Sequence, residues 1–416
     1  MRFLDLFAGA GGLSEGFVRE GFVPVAHVEL WESACYTLKT RAAFHYLINH
    51  NQEDTYASYL RGEITRDELY SNVPKEILDS VICKEIGDKT LPSIFSKIDS
   101  LKGQNDIDLI VGGPPCQAYS LAGRARDPNG MRDDKRNYLF LYYAKFLRKY
   151  HPKYFVFENV IGLLSAKDDD GVSYLDRMRA KFREIGYNTK YQVLSADDYG
   201  VLQNRKRIIL IGKRTTEDFE YPLPEVVQSR YTVGAIFSGL PKINAGEGNY
   251  RYYSPRERHS QWLDDAHIFS NFPITYHCAR PNSVKDLEIY RRAVELWNTQ
   301  QKRLSYSDLP ARLKTHTNQS SFLDRFKVVA ANIRSSQTVV AHICKDGHYY
   351  IHPDIDQNRS LTPREAARLQ TFPDDYFFES VSGKPSRTDA FKQIGNAVPV
   401  LLAQKIAGKL REVWEE

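Results

Sequence analysis

The sequence predicts an α/β fold, a mainly parallel sheet with helices on both faces, joined to a smaller mixed second domain. Three observations carry this reading. Short apolar runs alternate with helical stretches through the first half, a glycine-rich turn follows the first run, and the alternation stops near Arg214. Strand-helix alternation is how a parallel sheet comes to be covered on both faces.

Strands are expected at Arg2–Leu6, Val23–Glu29, Ile107–Val111, Tyr154–Phe157, Thr189–Leu194 and Arg207–Gly212, all short runs rich in β-branched or aromatic residues. Helices are expected at Asn137–Tyr150 and at Ser173–Ile185, the latter stopped by Gly186. The stretch from His45 to Glu85 is longer than a strand connection requires and reads as an inserted helical segment. After Arg214, Pro, Gly and Asn accumulate through residues 215–254. Ser254-Pro255-Arg256-Glu257 and Thr362-Pro363-Arg364-Glu365 each have the form of a capping box with proline at the first helical position. Pro399 opens a last amphipathic helix that runs to Trp414. The expected division is residues 1–214, completed by 388–416, and a second domain over 215–387.

The chain has 416 residues, 42% hydrophobic and 26% charged, with a net charge of +5. No apolar run approaches the roughly 20 residues of a membrane-spanning helix. The early Asp5 and the glycine turn argue against a secretory signal, so a cytoplasmic protein is expected. Five cysteines, far apart and without a CxxC pair, argue against structural zinc or a disulfide framework, and no metal site is expected. The charge is compatible with nucleic acid without establishing it. From Arg280 to Arg334 eleven Lys or Arg face five Asp or Glu, interleaved with Tyr290, Trp297, Tyr306 and Phe322. A solvated face and a phosphate-binding surface both fit that pattern.

Asp5-Leu6-Phe7-Ala8-Gly9-Ala10-Gly11-Gly12 follows the first strand and opens a helix. Glycines there let a nucleoside-bearing ligand approach the backbone. Glu29 ends the second strand, where a carboxylate can accept from both ribose hydroxyls. A dinucleotide fits less well, because Ser14 stands where GxGxxG needs its third glycine. A cationic sulfonium with an amino-acid tail would favour a nearby acid, and Asp5 is placed for that.

Gly112-Gly113-Pro114-Pro115-Cys116-Gln117 ends an apolar strand in a stiff turn that presents a cysteine. Proline can neither continue the strand nor enter a helix interior, so Cys116 sits on a loop held from behind. A structural cysteine needs no such mounting, whereas a thiolate nucleophile does. The following stretch to Lys135 is basic and glycine-bearing, suited to closing over a polyanion. One strand later, Glu158 ends an apolar run as either a satisfied structural acid or a general acid. Arg205 and Arg207 alternate into the next strand and are expected to point to one side.

The runs DLFAGAGG, GGPPCQAYS, FENV, QNRKR, LTPREAARLQTFPD and QIGNAVP, in this order from Phe3 to Val400, resemble the cytosine-5 DNA methyltransferases. The resemblance implies a Rossmann-like, S-adenosylmethionine-dependent catalytic domain and a target-recognition region between QNRKR and LTPREAARLQ. Phe7, Gly9, Gly11 and Gly12 would wrap the cofactor and Glu29 would hold its ribose. Leu30 would stack on the adenine, Asp88 would meet its amino group, and Pro115, Leu139 and Asn396 would complete the pocket. Lys89 departs from the family's usual Gly-Asp-Ile at that point. Cys116 would attack carbon 6 of a flipped cytosine while Glu158 engages ring nitrogen 3, Arg207 binds the carbonyl oxygen and Arg205 steadies the site. Gln117, Ser120, Arg124 and Arg126 are expected to touch DNA. The implied partner is duplex DNA with a specific cytosine site, bound by a monomer, with a restriction endonuclease acting separately. An RNA-methylating branch and a non-catalytic regulator share the fold, but GGPPCQAYS, the long recognition region and the intact catalytic set favour the DNA enzyme.

Overall fold

The computed structural model describes residues 1–115, 135–168, 170–227, 229–254, 258–315 and 322–414. Along the chain run β1 (Arg2–Leu6), α1 (Gly12–Arg19), β2 (Val23–Glu29), α2 (Glu32–Asn49), α3 (Glu53–Arg61), α4 (Arg66–Ser71), α5 (Lys75–Asp79) and β3 (Val81–Cys83). They are followed by α6 (Leu91–Lys102), β4 (Leu109–Gly112), α7 (Leu139–Tyr150), β5 (Tyr154–Val160), α8 (Tyr174–Glu184), β6 (Tyr187–Ser195) and β7 (Lys206–Arg214). These strands form one sheet in the order β3-β2-β1-β4-β5-β7-β6. The first five are parallel, and β7 runs against both β5 and β6.

Side-chain alternation sorts each strand between two cores. Phe3, Leu109, Val111, Val156, Ile209 and Ile211 face α1 and the C-terminal helices. Leu4, Leu6, Ile110, Phe155, Phe157, Ile208 and Leu210 face α6, α7 and α8. The chain reverses its direction of travel across the sheet between β1 and β4, so the carboxyl ends of these two strands border the crevice where α/β sheets bind ligands.

The expected strands are present, the last three of them longer than the sequence suggests. β3 was not expected, because its three residues lie inside the stretch read as an inserted helical segment. That segment is built in: Tyr56, Tyr59, Leu60 and Leu69 are fully buried, and the Tyr56 hydroxyl donates to the Asp375 carbonyl at 2.8 Å.

Beyond β7 lie α9 (Gln261–Asp265), α10 (Val284–Gln300), α11 (Pro363–Leu369), α12 (Arg387–Asn396) and α13 (Val400–Glu412). The Thr362 capping box is present in full at the start of α11, whereas residues 255–257 of the other box lie outside the described residues. Side chains of residues 215–387 are shared between two hydrophobic clusters. Val233, Trp262, Tyr276, Leu361, Phe372 and Phe378 join the same core as α1 and α13. A second core is confined to Ile289, Tyr290 and Val294 of α10 with Leu304, Tyr306, Leu309, Phe326 and Ile351. The arginines of the LTPREAARLQ run bind the two parts together. Arg364 donates to the carbonyls of Thr275, Pro373 and Tyr376, and Arg368 pairs with Asp374 while reaching the Ile236 and Ser238 carbonyls. The chain then returns, laying α13 on α1 so closely that a Cβ on Gly16 would lie 2.5 Å from that of Ala403. Among the described residues no helix is long and apolar enough to cross a membrane.

Candidate active site

The turn between β1 and α1 needs backbone freedom. Gly9 and Gly11 have φ of 55° and 80°, a left-handed region that L side chains rarely adopt, and Phe7 holds φ of 58° between them and the strand. Glu29 staples this turn to the end of β2. Its Oε2 accepts from the Gly9 N–H at 2.7 Å, and its Oε1 accepts from Leu30 and Trp31 at 2.8 and 2.7 Å. Leu30 beside it is 62% exposed, an apolar side chain left open at the crevice.

Beneath the turn, Asp5 is buried and its Oδ2 has no hydrogen-bond partner among the described residues. Burial, and then the nearby Glu29 carboxylate, push its pKa well above the usual range. An orphaned acid under a nucleoside-shaped turn fits a ligand that brings a positive charge, such as the ammonium and sulfonium of S-adenosylmethionine. A pyrophosphate fits poorly. The first turn of α1 is covered by the C-terminal segment, since a Cβ on Gly12 would lie 3.2 Å from that of Ala397 and 3.3 Å from the Phe372 ring. Gly12 therefore meets the returning chain rather than the crevice.

Asp88 is exposed and forms a 2.8 Å ion pair with Lys145 of α7. The Lys145 ammonium and the Tyr142 hydroxyl hold its carboxyl below the usual range. Leu139, half-buried, begins α7 one turn before Tyr142, so Asp88 is tethered close to Leu139.

At the end of β4, Pro114 is buried and Pro115 exposed. Asn159 of β5 pins this turn by donating to the Pro114 carbonyl at 3.2 Å. Cys116 follows directly, and it lies outside the described residues, as do Gln117, Ser120, Arg124 and Arg126. Glu158 stands beside the turn, where a Cβ on Gly113 would come within 2.5 Å of Glu158 Oε2. Its Oε1 is 2.7 Å from Arg207 Nε, with both side chains mostly buried.

Arg205 corrects the expected alternation. It precedes β7 and turns into the interior, donating to the Val339 carbonyl at 2.6 Å and the Gly395 carbonyl at 3.2 Å. These two partners belong to the segments that bring α12 back. Asn396, exposed at the end of α12, sits among carbonyls held in this way. Gln370 Nε2 donates to Ile394 and Ala397 at 2.7 and 3.0 Å.

Sequence reasoning missed Asn159, Gln203 and Tyr376. Gln203 is fully buried, donating to Gln370 and the Leu369 carbonyl while accepting from Val339 N. The Tyr376 hydroxyl donates to the Ala10 carbonyl under the glycine turn. Asn159 and Gln203 lie inside the quoted motifs, which was the signal available; nothing in the local sequence marks Tyr376.

Several basic residues of the second core are engaged internally. Arg280 donates to the carbonyls of Ile343, Cys344 and Lys345, Arg292 and Arg312 share Glu288, and Arg325 pairs with Asp346. Arg291, Lys302 and Arg303 are exposed without an ion pair among the described residues.

Comparison with known proteins agrees with this geometry. The family model for C-5 cytosine-specific DNA methylases matches residues 1–69 and 80–412. The type II methyltransferase M.Bpa9945I of Bacillus paralicheniformis is 40% identical, with 99% of each chain covered. The type II methyltransferase M.DdeI of Desulfomicrobium norvegicum is 29% identical over 100% of this chain and 89% of its own. Among solved structures, a DNA modification methyltransferase encoded within an Escherichia coli prophage shares the fold with a TM-score of 0.63 at 21% identity, both chains covered in full.

Proposed function

The chain belongs to the C-5 cytosine-specific DNA methylase family, and from that premise we propose that it methylates carbon 5 of a cytosine flipped out of a specific duplex DNA site, through a covalent adduct with Cys116. The observation that carries the mechanism is the Glu158–Arg207 pair held against the Pro114-Pro115 turn by Asn159.

Carbon 5 of cytosine is too weak a nucleophile to take a methyl group unaided. Attack by the Cys116 thiolate on carbon 6, with Glu158 giving a proton or hydrogen bond to ring nitrogen 3, makes carbon 5 enamine-like. Arg207 steadies Glu158 and offers its remaining N–H groups to the carbonyl oxygen. S-adenosylmethionine supplies the electrophilic methyl group when bound. Glu29 would hold its ribose, Leu30 would cover its adenine, and Asp5 would face its positive charge. Phe7, Gly9 and Gly11 would form the wall, with Asp88, Pro115, Leu139 and Asn396 completing it. Loss of the carbon-5 proton then allows the thiolate to leave.

Flipping the base costs a few kcal/mol, which contacts to the DNA must offset. Arg291, Lys302 and Arg303 are the exposed cations proposed for phosphate contact. The names of the relatives support a modification role beside a separate restriction endonuclease.

Transfer of labelled methyl to mixed-sequence duplex DNA, with Cys116→Ser in parallel, tests the reading. The expected product is 5-methylcytosine at one sequence context, absent with the variant. Label appearing in RNA alone, or DNA labelled equally by the variant, would sink it.

A further inference from the structure

Two cysteines that the reaction does not use meet at the rim of the crevice. Cys83 ends β3 opposite Glu29 in the parallel register, and Cys35 lies in the first turn of α2. Their thiols converge on successive peptide groups: Cys35 Sγ donates to the Glu29 carbonyl at 3.5 Å, and Cys83 Sγ to the Leu30 carbonyl at 4.0 Å. Cys35 is buried and Cys83 exposed, so an oxidant in solution reaches one sulfur with the second waiting behind it. Burial by itself accounts for Cys278, whose thiol donates to the Tyr276 carbonyl. It does not account for an exposed thiol set against a buried one.

We propose that Cys35 and Cys83 form an oxidisable dithiol, a modification site for hydroperoxides and small disulfides, whose closure loosens the cofactor's ribose and adenine contacts. The second half of this rests on the cofactor reading of Glu29 and Leu30. A hydroperoxide transfers one oxygen to the Cys83 sulfur, leaving a sulfenic acid and one water or alcohol. The Cys35 sulfur then attacks the Cys83 sulfur, the S–O bond breaks, and the hydroxyl leaves with the Cys35 proton as water. The two electrons lost by the sulfurs have reduced the peroxide, and both thiol hydrogens end in product. With a small disulfide the same bond forms by two successive exchanges that release two thiols.

Closure removes both S–H donors from the Glu29 and Leu30 carbonyls and ties β3 to α2 across the residues that hold the Glu29 carboxylate. A tenfold rise in cofactor Kd, equivalent to about 1.4 kcal/mol, is the shift expected from loosening the backbone that carries Glu29 and Leu30. By reciprocity, bound cofactor shifts the equilibrium toward the reduced dithiol.

The test uses the full chain carrying Cys116→Ser, so that the nucleophile's own thiol takes no oxidant. Hydrogen peroxide and oxidised glutathione are applied in separate arms, followed by peptide mass mapping and titration with S-adenosylmethionine. The expected result is a Cys35–Cys83 linked peptide, a Kd raised about tenfold, recovery with dithiothreitol, and insensitivity after Cys83→Ser. Cys83 oxidised or glutathionylated without a link to Cys35 would overturn the dithiol, and a complete link with unchanged Kd would overturn its effect on binding. A reduced protein that binds no cofactor would overturn the cofactor reading and the coupling, while mass alone still judges the disulfide.

Discussion

Glu158 Oε1 and Arg207 Nε lie 2.7 Å apart across the antiparallel pair of β5 and β7, where Arg207 stands opposite Val160, two residues beyond the acid. The strand register brings the two side chains together, so the pair exists before substrate arrives and costs no reorganisation on binding. Glu158→Gln keeps the shape and removes the proton donor. Methyl transfer is expected to fall by roughly 10²- to 10⁴-fold with an unchanged melting temperature. Single-turnover rates within a few-fold of the parent would contradict the assignment.

Gly113 makes that pair possible, because any Cβ there comes within 2.5 Å of Glu158 Oε2. Gly113→Ala should therefore displace the carboxylate while leaving the Glu29 end intact. The expected outcome is a loss in kcat with cofactor Kd unchanged. A loss in cofactor binding equal to the loss in rate would mean that the methyl disturbs the whole crevice.

Arg205 is a positioning residue. It is buried and donates directly to the Val339 and Gly395 carbonyls, and truncation removes both bonds. Arg205→Met is expected to cost about 2–4 kcal/mol of stability by urea titration. It should also weaken cofactor binding, because Gly395 adjoins Asn396. A stable variant with wild-type cofactor affinity would remove Arg205 from this role.

Much of this was legible in the sequence because strands, caps and turns are local. Thr362 and Glu365 announce their capping box three residues apart, and Gly9, Gly11 and Glu29 sit where a strand ends and a turn begins. Long-range partnerships leave no such mark. Nothing near Arg205 says that its acceptors are 134 and 190 residues away. Spacing likewise does not show that Arg364 and Arg368 reach carbonyls about 90 and 130 residues earlier in the chain. β3 escaped notice because three residues are too few to show a period.

Asp5 trades stability for binding. A group whose folded pKa is raised favours folding at low pH and loses that contribution as pH rises through the folded value. Asp5→Asn removes the buried ionisable carboxyl and is expected to stabilise the ligand-free protein by about 1–3 kcal/mol at neutral pH. The same change should weaken S-adenosylmethionine more than its uncharged adenosine fragment. Equal loss for both ligands would show that Asp5 does not face the cation.

Three buried histidines set a second pH dependence. His27 and His277 are held down to about 4 and His352 to about 3 from 6.5, in each case first by burial. Below 6.5 the unfolded chain takes up these protons while the folded protein does not, so the unfolded state binds more protons and stability falls with pH. Each histidine contributes a slope of about 1.4 kcal/mol per pH unit until its folded value is reached. Glu365, held low chiefly by Arg359 against the opposing effect of burial, extends the loss below 4.5, and the raised Asp5 opposes it in part. Urea midpoints should therefore drop steeply between pH 6.5 and about 4. His27→Gln, which keeps a hydrogen-bonding group for Ser14 without a titrating ring, should shallow that slope by about a third of the histidine share. A flat profile across this window would mean that these rings are already protonated, or reached by water, in the folded protein.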